Sequence, residues 1–140
     1  MKLFSIGMTK HQSGDIMINY RTISAFDKDF KALAKRFKTL PDDFDIFKKF
    51  ILETYYEQDI PTTAFLPIEG CCGAEFTSNK VRKFACKSLK GKGSASGIRI
   101  IFVWDKQSRN ITFIEIYFKA DQKNESKKRL EEFLKNQYKK

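Results

Sequence analysis

Between residues 80 and 123 the sequence sets Lys80, Arg82, Lys83, Lys87, Lys90, Lys92, Arg99, Lys119 and Lys123 among apolar and aromatic residues. Lysines and arginines gathered in this way suit a polyanion, because they neutralise phosphates and release the condensed counterions. Trp104, Tyr117 and Phe118 lie among them, and each either offers a ring on which a base can stack or belongs to the core. Arg99 is the sharpest single residue: it is the one charge in the apolar run Gly97 to Trp104. A guanidinium there is costly unless it meets an anion or reaches solvent. Either it pairs internally with a carboxylate such as Glu115, or it faces the open side of a sheet toward a phosphate.

Other chemistries find little footing. There is no nucleophile elbow, no phosphate-cradling glycine-rich loop and no metalloprotease helix motif, and the one histidine, His11, stands near the N-terminus. Glu115 falls in an apolar run and Asp121 in a turn, with nothing to link either to a second acid. Three cysteines, Cys71, Cys72 and Cys86, are odd in number and have one histidine to help them, a pattern of reduced thiols rather than a disulfide framework or a zinc site. No metal or small-molecule cofactor is therefore expected. The formal net charge of +10 over 140 residues leaves a nucleic acid, an acidic protein or an anionic membrane surface as partner classes. The chain lacks an apolar run long enough to span a bilayer and an N-terminal secretory pattern, so a cytoplasmic protein is expected.

One domain suits this length. Residues 1–16 carry little periodicity and read as a weakly ordered extension, with the domain running over 17–140. Alternation from Ile18 to Ile23 predicts a short first strand, and Ser24 stands where a helix N-cap would stand. Phe26, Phe30, Leu33 and Phe37 recur at helical spacing and predict a helix over 25–38. After the Pro41 punctuation, Phe44, Phe47, Ile51 and Tyr55 predict a second helix ending near Glu57, so that the two form a helical hairpin. The stretch 58–79 reads as a loop, 81–89 as a strand and 90–94 as a basic connection. Residues 97–104 and 111–118 read as paired antiparallel strands, and 124–137 as a closing helix carrying Leu130, Phe133 and Leu134. The predicted class is α+β, in the order β-α-α-β-β-β-α, with an antiparallel sheet and the hairpin packed on one face.

Several blocks in this order resemble the RelE/ParE superfamily of toxins from type II toxin–antitoxin modules: Phe26 to Lys31 with Leu33 to Arg36, Val81 to Phe84, Lys87 to Gly91, Ser96 to Phe102, and Phe113 to Lys119. The resemblance spans most of the chain, from about Ile18 to Leu134. It implies a sheet with the helical hairpin on one face and a concave basic surface on the other. In the RelE-like ribonucleases of the family that surface holds messenger RNA in the ribosomal decoding site. There a 2′-hydroxyl attacks the adjacent phosphate while cations stabilise the charge on the phosphorane, without a metal. By resemblance Arg99 matches the family's middle-strand arginine, Lys87 and Lys90 its basic strand, and Lys119 and Lys123 the region after the last strand. Tyr117 is the nearest phenol to the position where many family nucleases carry an acid–base or stacking residue.

The resemblance thus implies Arg99, Lys87, Lys119 and Tyr117 as catalytic residues, with Lys80, Arg82, Lys83, Lys90, Lys92, Lys123 and Trp104 holding RNA. The implied partners are a cognate antitoxin, messenger RNA and the ribosome. Two other functions are compatible with the same fold: a ParE-like gyrase inhibitor that is no nuclease, and a non-toxic RNA-binding module.

Overall fold

A computed structural model describes residues 17–138; the predicted extension over 1–16, with His11, lies outside the described residues. The chain opens with β1 (Asn19–Thr22) and α1 (Ser24–Arg36). Asp27 in the first turn of α1 and Lys35 and Arg36 in its last complement the helix dipole. Ser24 is the first helical residue rather than the cap, and Ile23 caps without a side-chain bond. Pro41 then opens α2 (Leu40–Phe47), where its fixed φ and missing N–H carry no penalty.

The helical run continues through a π-helical segment, Lys48–Leu52, into α3 (Glu53–Gln58). Its wider turn takes in an extra residue and rotates everything downstream. The stripe predicted as Phe47, Ile51, Tyr55 therefore becomes Phe47, Leu52, Tyr56: Leu52 is fully buried, whereas Tyr55 is 37% exposed. Tyr56 stacks on Trp104 at 4.0 Å between ring centroids.

Four strands follow: β2 (Phe65–Pro67), β3 (Phe76–Val81), β4 (Ile98–Asp105) and β5 (Asn110–Phe118), and α4 (Lys127–Gln137) closes the described chain. They form one sheet in the order β1-β5-β4-β3-β2. The fold is α+β, but its sheet is mixed rather than antiparallel, because β1 runs parallel to β5. Parallel neighbours require a long crossover, and the helices between them supply it. A strand expected over 81–89 ends at Val81; the actual β3 and the short β2 occupy what read as loop. Residues 82–97 instead form turns with one isolated bridge, Phe84 to Ala95.

The sheet is covered on both faces. Phe26 and Leu33 of α1 and Phe44 and Phe47 of α2 pack with Ile100, Phe102, Ile111 and Phe113 on one side. On the other, Leu130 of α4 meets Ile101, Val103 and Ile114. A bulge sorts the two sets: Ile101 faces Glu115 while Phe102 faces Phe113, which leaves Ile114 unmatched and turns both Ile114 and Glu115 toward α4. No described helix is long and apolar enough to cross a membrane.

Candidate anion-binding site

Period-two alternation sets the site. On β4, Ile98, Ile100 and Phe102 point into the helix-side core, so Arg99 points to the α4 side, directly across from Tyr117 of β5. Lys80 of β3 pairs with Ile101 and shares that face. Beyond the sheet end, Arg99 Nη1 donates to the Arg82 carbonyl at 3.1 Å, and the Lys119 N–H donates to Gly97 O at 2.8 Å. Gly97 adopts φ +90°, and a Cβ there would stand 3.3 Å from the Phe118 ring, so the turn that brings Lys119 beside β4 favours glycine.

These contacts open a cleft of about 750 Å³ whose lining includes Arg82, Lys83, Arg99 and Lys119, with Thr63, Leu66, Ser94, Ala95 and Gly97. None of its lining residues is a carboxylate. Four cations elsewhere are matched: Arg36 pairs with Asp121, Lys48 with Asp45, Lys80 with Glu125 and Arg129 with Asp29. The four cations of the cleft have no ion pair among the described residues. Arg99 therefore does not take the internal option of Glu115, whose carboxylate accepts from the Ser126 N–H and from Gln122 Nε2, both at 2.7 Å. Unpaired like charges facing one concavity repel one another and are relieved by an anion.

Beside the cleft, Glu125 receives Lys80 Nζ at 2.9 Å and the Tyr117 hydroxyl at 3.3 Å. Burial, then the charge and hydrogen bond of Glu125, push the Tyr117 phenol well above its usual range, and Arg99 only partly offsets them. Tyr117 is thus an O–H donor at neutral pH and no base. Burial alone would raise the Glu125 carboxyl, but the bonds from Lys80 and Tyr117 outweigh it and hold Glu125 below the ordinary 4.5.

A folded-state value below the unfolded one means that the carboxylate stabilises the fold above the ordinary value, and that this contribution disappears as the pH falls through the lowered one. Glu125→Gln is expected to cost on the order of 1 kcal/mol at neutral pH and progressively less in acid. Urea midpoints of both proteins across pH check this; a difference constant down to strongly acid pH would exclude it.

Other predicted site residues lie apart. Lys87 and Lys90, implied on a basic strand, and Lys92, expected in the connection after it, all belong to the irregular 82–97 segment, and none lines the cleft. The segment is fastened from beneath: the buried Asp43 carboxylate accepts the Lys87 N–H at 3.0 Å and the Thr39 hydroxyl at 2.7 Å, and Thr39 also bonds Ser88. Lys123 is exposed between β5 and α4 and lines no part of the cleft. Trp104 is on the opposite, helix-side face, enclosed by Tyr56 and by the Arg109 guanidinium 5.2 Å from its ring centroid, so it is a core residue and no platform for a base. Leu66 went unread because β2 is three residues long and ends on Pro67, too short for alternation to show.

No match was found among family models, curated proteins or solved structures.

Proposed function

We propose that this chain is an RNA-binding toxin of the RelE type, which holds messenger RNA by its phosphates in the Arg82–Lys83–Arg99–Lys119 cleft and cleaves it on the ribosome. The observation that carries the reading is the cleft: four cations, no lining carboxylate and no ion pair among the described residues. Arg99, at the end of the sheet, alternates with Ile98 and Ile100 of the helix-side core and so points away from α1 and α2, where a phosphate has access to it. In the proposed reaction the 2′-oxygen bonds to the adjacent phosphorus and gives up its proton. The bond to the 5′-oxygen breaks, and that oxygen takes up a proton. Arg99, with Lys119, stabilises the charge gathering on the phosphoryl oxygens, the role for which a preorganised guanidinium is suited. Toxicity of this kind calls for a cognate antitoxin that covers the cations until it is removed.

The test is induced expression in a bacterial host beside Arg99→Ala, following growth and mapping the ends of abundant messages. Growth arrest with new cuts inside translated regions, absent in the variant, is expected. Arrest with intact messages and a DNA-damage response would replace this reading by gyrase inhibition, and undisturbed growth would reduce it to an RNA-binding module.

A further inference from the structure

Beside the basic cleft runs a second, apolar concavity of about 350 Å³. Phe47, Ile46 and Phe50 of the α2 and π-helical run form one wall, and Ala64 and Ala85 lie in the facing segments. Three residues line both concavities: Thr63, Lys83 and Ser94. Lys83 Nζ donates to Thr63 Oγ1 at 2.9 Å, so an ammonium stands at the seam with an apolar hollow on one side and unpaired cations on the other.

Phe50 is the outlying feature of the helical run. Its ring is 60% exposed and its neighbour one turn back, Ile46, 43% exposed, while Phe47 and Leu52 are drawn into the core. Phe50 lies within the π-helical turn, in which Leu52 takes the core position and Phe50 stands on the rim. π-Helical turns inside α-helices are frequent at functional sites. Two other aromatics in the basic region that could have stacked with a base, Trp104 and Tyr117, are buried, at 8% and 4% exposure.

We infer that the two concavities form one bipartite site for single-stranded RNA, with a nucleobase stacked on Phe50 in the apolar hollow and its phosphate held across the seam by Lys83 and Arg82. This rests on the reading of the basic cleft as a phosphate site and adds to it where a base lies. The occupant is argued from continuity and charge. A base flanked by its own phosphate is an apolar ring joined to an anion at short reach, and the joined concavities offer the same pairing. The Asp43 carboxylate lining the hollow disfavours an anion there and directs phosphate to the lysine side. Stacking on a phenyl ring is tolerant of sequence, as every base has a π-face.

The experiment measures anisotropy of a labelled pyrimidine oligoribonucleotide and of its abasic counterpart against the full chain, with Phe50→Ala, Phe50→Trp and Arg99→Ala. Because Phe50 is exposed, its replacement leaves the core intact, and thermal unfolding of each variant verifies that. Phe50→Ala is expected to weaken the base-bearing oligonucleotide about tenfold and the abasic one not at all, with Phe50→Trp retaining affinity. Equal effects on both oligonucleotides, or none on either, would overturn the base site, and would leave the phosphate cleft standing if Arg99→Ala still flattens the salt dependence. Absence of RNA binding by the unaltered chain at any salt would overturn the two readings together.

Discussion

Arg99→Ala is expected to abolish message cleavage, by a factor of about 10² to 10³, while the protein stays folded. It should also reduce the slope of log affinity against log salt for single-stranded RNA by about 0.7, the share of one phosphate contact. Arg99 stands on a central strand at the mouth of the cleft, half-exposed, and its one recorded bond is to the Arg82 carbonyl. Removing it takes away a preorganised cation and leaves that carbonyl beside solvent, where water replaces the donor. The cost to stability should therefore be no more than about 1 kcal/mol. Unfolding curves and RNA titrations at several salt concentrations check both halves. Weaker binding with an unchanged slope would take Arg99 out of contact with phosphate, and an unfolded variant would make it a structural residue.

The largest loss of stability is expected at Phe113. Its ring is 1% exposed and lies 4.8 Å from the Phe44 centroid and 5.5 Å from that of Phe26, with Tyr20 stacked at 6.0 Å. One side chain thus joins β1, α1, α2 and β5, and three rigid rings cannot collapse into the space it leaves. Phe113→Ala should cost about 3–5 kcal/mol, which with an ordinary urea dependence moves the unfolding midpoint down by about 2 M. A shift of a small fraction of that would mean that the surrounding rings repack. Exposed Ile46, by contrast, should tolerate alanine.

Strands β4 and β5 were legible in the sequence because sheets covered on both faces read as unbroken apolar runs, and 97–104 and 111–118 are such runs. Helices α1 and α2 were legible from their phenylalanines. What hid β3 was its own composition: Thr77, Ser78 and Asn79 lie at the middle of a strand where polar side chains are unusual, and Ser78 and Asn79 are buried all the same. Asn79 meets part of its need locally, through Thr77. The strand expected over 81–89 does not form: its apolar residues Val81, Phe84, Cys86 and Leu89 are spaced by three, two and three, which no period of two satisfies. They are buried by a chain that crosses the end of the helices and is tied there by Asp43 and Thr39.

The site was legible in its cations but not in its assembly. Arg99 and Lys119 follow from strands that were read correctly, and Arg82 and Lys83 join them through the end of β3, which was not. Lys87 and Lys90 were expected, by resemblance, on a basic strand that the 82–97 segment does not form. Phe50 was not singled out because it lies off the stripe of Phe44, Phe47, Ile51 and Tyr55 and far in sequence from the cations of 80–123.

The parallel pairing of β1 with β5 joins Tyr20 to Ile111, nearly opposite ends of the chain. During synthesis at about 5–20 residues per second, the 90 residues between them take roughly 5 to 18 s to appear. Throughout that interval Phe26 and Leu33 of a finished α1 have no sheet to lie on, and the first strand has no neighbour. The nascent protein is therefore at its stickiest just before it is complete, and a chaperone that shields phenylalanine-rich helices would act on it longest. A circular permutant that starts at the 105–110 turn, with β5 made first, should shorten that exposure and aggregate less on rapid expression.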